Sequence, residues 1–107
     1  MRKIIDGIRY DTEKAVLIGE TNNIGRGADS WGDFGAWAAG LYKTPRAGRY
    51  FLGGSGGAQT IFGRSVGNNS WSGGEDIIPL SEADARVWAE QNLPVETVEQ
   101  FFDLEDA

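Results

Sequence analysis

The groups available for chemistry in this 107-residue chain are carboxylates and cations, and they are unevenly placed. From Glu75 to Ala107 there are ten acids and one base, Arg86, a formal charge of −9. From Met1 to Gly74 six acids and nine bases give +3, for a total of −6. No acid occurs between Phe34 and Gly74, while Lys43, Arg46, Arg49 and Arg64 do. Carboxylates spaced along helices can imitate a line of phosphates and occupy a basic groove on another protein. Glu82, Asp84, Glu90, Glu96, Glu99 and Asp103 are the residues placed to do so. Such a contact is fast and strongly salt-dependent. The plainer reading of the same residues is a solvated helix face opposite Trp88, Phe101 and Phe102.

Catalysis finds little support. The chain has no histidine and no cysteine. That removes His-based triads, thiol nucleophiles, disulfides and zinc-finger spacing. Serines 30, 55, 65, 70, 72 and 81 have no imidazole to activate them, and only Lys3, Lys14 and Lys43 can stand in as a base. A pair of acids at glycosidase separation depends on the fold, and Asp33, between Gly32 and Phe34, is the acid nearest to an apolar setting. The expectation is a non-enzymatic protein with no cofactor and no metal.

A second binding reading uses the cations. Tyr42, Lys43, Arg46, Arg49, Tyr50 and Phe51 interleave bases with aromatics, a pattern that can stack and hold single-stranded nucleic acid. The glycine cluster 53–57, with Arg49 or Arg64, can hold an anion, because bare backbone brings its amides close to a phosphate. The cluster lacks the Gly-Lys-Ser/Thr ending of a P-loop and the G-x-G-x-x-G of a dinucleotide site; Gly25-Arg26-Gly27 fails too, because Ser30 stands at the third glycine position. A wide turn or bulge is the plainer expectation for 53–57. The sequence pI near 4.5 argues against direct nucleic-acid binding. The alternative site therefore comprises Lys43, Arg46, Arg49, Tyr50 and Arg64.

These residues need elements to position them. The clearest signals lie between Ser70 and Leu93. Ile77, Ile78 and Leu80 predict a strand over 75–80, and Pro79, lacking an N–H, places it at a sheet edge or costs it a ladder bond. Ser81 stands three residues before Asp84, a capping-box spacing that starts a helix over 82–92. Ala85, Trp88 and Ala89 share its apolar face, and Pro94 ends it. A last helix over 95–104 puts Val95, Val98, Phe101 and Phe102 on one face. Upstream, Ile4, Ile5, Ile8 and Tyr10 around Asp6-Gly7 read as a strand pair or one bent strand. Asp11 or Thr12 can cap a short helix from Glu13 to Ile18, with Gly19 as its stop, although Val16 and Ile18 also suit a strand. The glycine-rich run 20–35 reads as loop, pinned to the core by Trp31 and Phe34, with Trp71 a further anchor. Residues 36–54 read as a hairpin about Thr44-Pro45-Arg46-Ala47-Gly48. The fold class is α+β in one domain: an antiparallel sheet from strands near 3–10, 36–43, 49–53 and 75–80, a short N-terminal helix, and two C-terminal helices packed on one face.

At this length a chain buries about two-thirds of the surface it exposes when unfolded, enough for a core without metal or disulfides. MRKIIDGIRY has a basic start but only two consecutive apolar residues before Asp6, which is neither a signal peptide nor a membrane span, so the expected location is cytoplasmic. Three segments carry a resemblance: KIIDGIRYDT at 3–12, GRYFL at 48–52 and NSWSGGEDIIPLSEADA at 69–85. Together they resemble a family of small, mostly uncharacterised bacterial proteins found in chromosomes, phages and other mobile elements. The resemblance brings no catalytic residues, and region 20–35 departs from the pattern. It implies a setting in which short acidic proteins inhibit host defence, anti-CRISPR proteins included. With the −9 against +3 charge asymmetry and the absence of catalytic side chains, the expected partner is a basic, nucleic-acid-binding protein such as a CRISPR effector.

Overall fold

Eight strands precede two helices along the chain. The computed structural model describes all 107 residues. The strands are β1 (Arg2–Ile5), β2 (Ile8–Asp11), β3 (Val16–Asn22), β4 (Trp37–Lys43), β5 (Tyr50–Gly56), β6 (Arg64–Gly67), β7 (Ser70–Ser72) and β8 (Gly74–Leu80); the helices are α1 (Glu82–Asn92) and α2 (Val95–Phe101). The main sheet is antiparallel in the order β3-β4-β5-β8. Two further antiparallel pairs, β1-β2 and β6-β7, stand apart from it. The α+β class and the two C-terminal helices match the sequence, and residues 2–11 do form a strand pair, but that pair lies outside the main sheet, where β3 holds the place expected for residues 3–10; the β6-β7 pair does not follow from the sequence.

Side-chain alternation along β5 builds a core on both faces of the sheet. Tyr50 and Leu52 point to the helix side, where they join Ile18, Leu41, Ala85, Ala89, Val98 and Phe102. Phe51 points to the other side and meets Tyr10 and Ile77 beneath the β1-β2 hairpin. The molecule is thus three layers: hairpin, sheet, helices. Phe51, Leu41 and Ile77 are the largest side chains that are fully buried. Ala85 and Ala89 have no exposed surface, and their small size lets α1 lie close over β5 and β8 while α2 covers β3. No buried side-chain nitrogen or oxygen lacks a partner, as a dry core requires.

Local signals explain most of the elements. Asp6 and Gly7 both take positive φ (52° and 76°), the hairpin turn expected of an Asp-Gly pair, and they join β1 to β2. Asn68 and Asn69 do the same for β6 and β7. β8 is an edge strand, so Pro79, paired with Phe51, costs the sheet no interior ladder. Ser81 caps α1: its Oγ accepts the Asp84 amide at 3.1 Å.

Four expectations are corrected. The N-terminal helix is absent. Asp11 does cap a turn, its carboxylate accepting the Glu13 amide at 2.9 Å and its carbonyl the Lys14 and Ala15 amides, but the chain then extends into β3. Val16 and Ile18 are β-branched strand formers, and β3 pairs with β4 with Ile18 at a bulge, its side chain buried in the helix-side core. Gly19 is no helix stop; a Cβ there would lie 3.0 Å from the Leu93 side chain, which packs on it at the end of α1. Trp31, Phe34 and Trp71 do not pin loops to the core, because all three are mostly exposed. The glycine cluster is not a turn either: Gly53 to Gly56 lie within β5, between β4 and β8.

Candidate functional site

The acidic residues of the C-terminal third stand on the outermost layer. Glu82, Asp84 and Glu90 are on α1, and Glu96 and Glu99, one turn apart, are on α2. Asp103 lies two residues beyond the end of α2, so it extends the row without belonging to the helix. All six are exposed. Behind them Ala85, Ala89, Val98 and Phe102 anchor the helices to the sheet. The first-turn acids Glu82 and Asp84 suit the positive end of α1, and no base occupies the last turn of either helix.

The charge is uncompensated. Arg86 is four residues from both Glu82 and Glu90, the spacing at which helical ion pairs form. It pairs with neither, for the chain contains one ion pair, Lys3 Nζ to Asp76 Oδ1 at 2.7 Å. Nine of the ten acids between Glu75 and Ala107 therefore have no cation within 4.0 Å. Asp76 is different. Partial burial works against its charge, but hydrogen bonds from Lys3 and the Ile77 amide, with the positive charges of Lys3 and Arg64, outweigh it and hold its carboxyl below the usual range. Tyr42 titrates above the ordinary tyrosine value because burial disfavours the phenolate and Glu20 lies nearby.

The alternative residues do not form one site. Lys43, Arg46 and Arg49 sit at the β4-β5 turn, whereas Arg64 begins β6 near Gly74, at the far end of β5. Seven strand residues separate those ends by roughly 20 Å. Tyr50 is no stacking platform: it is buried, stacks on Phe102 at 5.5 Å, and is covered by the Lys43 ammonium 5.2 Å from its ring. The amides of 53–56 belong to a central strand and cannot cradle a phosphate. What the structure gathers instead is Arg9, Lys14 and Arg46, which line a concavity of about 440 Å³ with Asp11 and Thr44. Arg9 and Lys14 are partners that the sequence reading missed, since β1-β2 pairing and the turn after it are needed to bring them to Arg46. Asp33 is spent on structure: one carboxylate oxygen accepts the Gly35 amide at 2.8 Å.

A second feature the sequence concealed is an aromatic cavity walled by Trp37 on β4, Trp88 on α1 and Phe62. The signal was the alternation of Gly54 and Gly56 on one face of a strand, which leaves room for large side chains above it.

Comparison with protein-family models, with curated proteins and with solved structures found no match. No helix is long and apolar enough to cross a membrane.

Proposed function

We propose that this protein is a non-enzymatic interaction module whose acidic C-terminal helices dock on a basic, nucleic-acid-binding partner. The observation that carries the reading is the unpaired state of the acids: six exposed carboxylates, backed by a packed core, with no cation of their own chain engaging them. Helices fixed to a sheet present these charges at set spacing, so little ordering entropy is lost when a groove receives them. A groove built for phosphates offers Lys and Arg at comparable intervals, and the two surfaces attract at long range. By occupying it, the module competes with the partner's nucleic acid. A CRISPR effector is one partner of this kind, in keeping with the host-defence setting that the three resembling segments imply.

The test is charge reversal. Glu90→Lys, Glu96→Lys and Glu99→Lys together bring the formal charge from −6 to zero. All three sites are exposed and unpaired, so the fold should persist. Binding to a basic nucleic-acid-binding protein, measured by competition against labelled single-stranded DNA, should fall at least a hundredfold. Unchanged competition by a folded triple variant refutes the reading.

A second reading rests on the convergence of Arg9, Lys14 and Arg46, three cations from separate segments around one concavity and none of them ion-paired. It is a site for a small anionic ligand. Replacing all three by Ala should abolish phosphate-dependent chemical shifts at Thr44 and Ala15 and leave the acidic docking untouched.

A further inference from the structure

The chain's aromatic cavity has a chemistry of its own. It encloses about 370 Å³ on the helix side of the sheet, bounded by Trp37, Trp88, Phe62 and Ile61. The glycines of β5 make it possible. A Cβ on Gly54 would overlap the Ala38 carbonyl and lie 2.8 Å from Phe62 Cζ. One on Gly56 would overlap the Thr60 hydroxyl and lie 3.0 Å from Trp37 Cβ. Bare backbone thus lets the aromatic walls rest on the strand, and Ala39 lines the cavity without filling it.

The two indoles touch: their centroids are 6.3 Å apart, within the range of a direct aromatic pair, and their planes are inclined by 52°. They form one aromatic corner of the cavity, against whose free faces a flat ring can stack. No lining residue is titratable. An anionic ligand would lose hydration there without compensation. The Thr60 hydroxyl is already committed, donating to the Gly57 carbonyl at 2.8 Å and accepting the Phe62 amide at 3.2 Å. That leaves the exposed Gln59 carboxamide to meet one hydroxyl or N–H of a ligand. The volume falls within the range of about 300–1,000 Å³ usual for small-molecule sites.

We propose that the cavity walled by Trp37, Trp88, Phe62 and Ile61 binds the uncharged aromatic ring of a small molecule. The site is separate from the acidic docking face and does not depend on it.

The test uses indole and p-cresol as neutral probes, with benzoate as the charged counterpart, titrated into the full 15N-labelled chain. The chain's four tryptophans supply an internal control. Neutral probes should shift the indole N–H resonances of Trp37 and Trp88 saturably and leave those of the exposed Trp31 and Trp71 in place. Benzoate should bind at least tenfold more weakly. Ala39→Leu, which fills the cavity from a lining position, should abolish the response. Should that variant fail to fold, Ile61→Asp places a charge at the exposed rim, where folding tolerates it, and should weaken binding about tenfold. The proposal is overturned if no saturable shift appears at Trp37 and Trp88 up to the solubility limit of indole. It is equally overturned if all four tryptophans respond alike, if benzoate binds as well as p-cresol, or if folded Ile61→Asp binds like the parent.

Discussion

Phe51→Ala probes the three-layer architecture. Phe51 has no exposed surface and lies between the sheet and the β1-β2 hairpin. Its ring stacks on Tyr42 at 5.2 Å with planes 11° apart and meets Tyr10 edge-on at 5.3 Å and 70°. Truncating a buried Phe to Ala costs about 3–5 kcal/mol. The central position and the two aromatic partners place this site toward the upper end of that range. A domain of 107 residues has roughly 5–15 kcal/mol in total, so the loss is a large share of its stability. With a urea m-value of about 1.5 kcal/mol per M, the denaturation midpoint falls by about 2–3 M. Urea titration followed by far-UV circular dichroism reads this directly. A double-mutant cycle with Tyr10→Ala isolates the contact between layers, and a coupling of about 0.5–1.5 kcal/mol is expected for an edge-to-face pair. A loss under about 1 kcal/mol for Phe51→Ala, where 3–5 is usual, would refute the packing argument. So would additivity of the two changes within about 0.3 kcal/mol, which would mean the hairpin does not sit on the sheet.

Other outcomes follow from single contacts. Ser81→Ala removes the α1 cap and should cost about 1 kcal/mol, measured by thermal melting, with Ser81→Gly losing only a few tenths. Gly54→Ala drives a methyl into the β4 backbone and Phe62, so a loss of about 1–3 kcal/mol is expected, against near-neutrality for Gly27→Ala, whose nearest neighbour would be 3.6 Å away. The Lys3–Asp76 pair is exposed by 47% and 42%, which limits it to about 0.5 kcal/mol. Because folding lowers the Asp76 pKa, that contribution is complete above the unfolded value near 3.9 and disappears as pH falls through the folded value. Asp76→Asn should remove this acid-side slope from denaturation curves without altering stability at pH below the folded pKa of Asp76. An unchanged slope would show that the pair contributes nothing.

Where one residue type dictates the backbone, the sequence was legible. Asp6-Gly7 sets a hairpin turn, Ser81 starts α1, Pro79 marks an edge strand, and the Ala85–Ala89 spacing locates the buried face of α1. Where tertiary context decides, it was not. The Asp11 cap and the residues after it permit helix or strand, and pairing with β4 selects strand. Glycines read as loop residues became the centre of a sheet, because their role is to admit Phe62, Trp37 and Thr12 rather than to turn the chain. Tryptophans expected as anchors at 31 and 71 are exposed, while Trp37 and Trp88, 51 positions apart in sequence, wall the cavity. The acidic row was readable from composition, since surface acids need only a helix with a buried opposite face. The basic cluster was not, as Arg9, Lys14 and Arg46 meet only through folding.

The central claim, that the unpaired acids of α1, α2 and Asp103 form a docking face, is tested most directly by salt-stepped elution. The chain and its Glu90→Lys, Glu96→Lys, Glu99→Lys variant are immobilised in parallel and offered the same basic nucleic-acid-binding protein, with and without excess single-stranded DNA. The parent should hold the partner at low salt, release it at moderate salt and lose it to the DNA, while the folded variant holds none. Retention that is indifferent to salt, to DNA and to the three reversals would contradict the claim and move the interface to an uncharged surface.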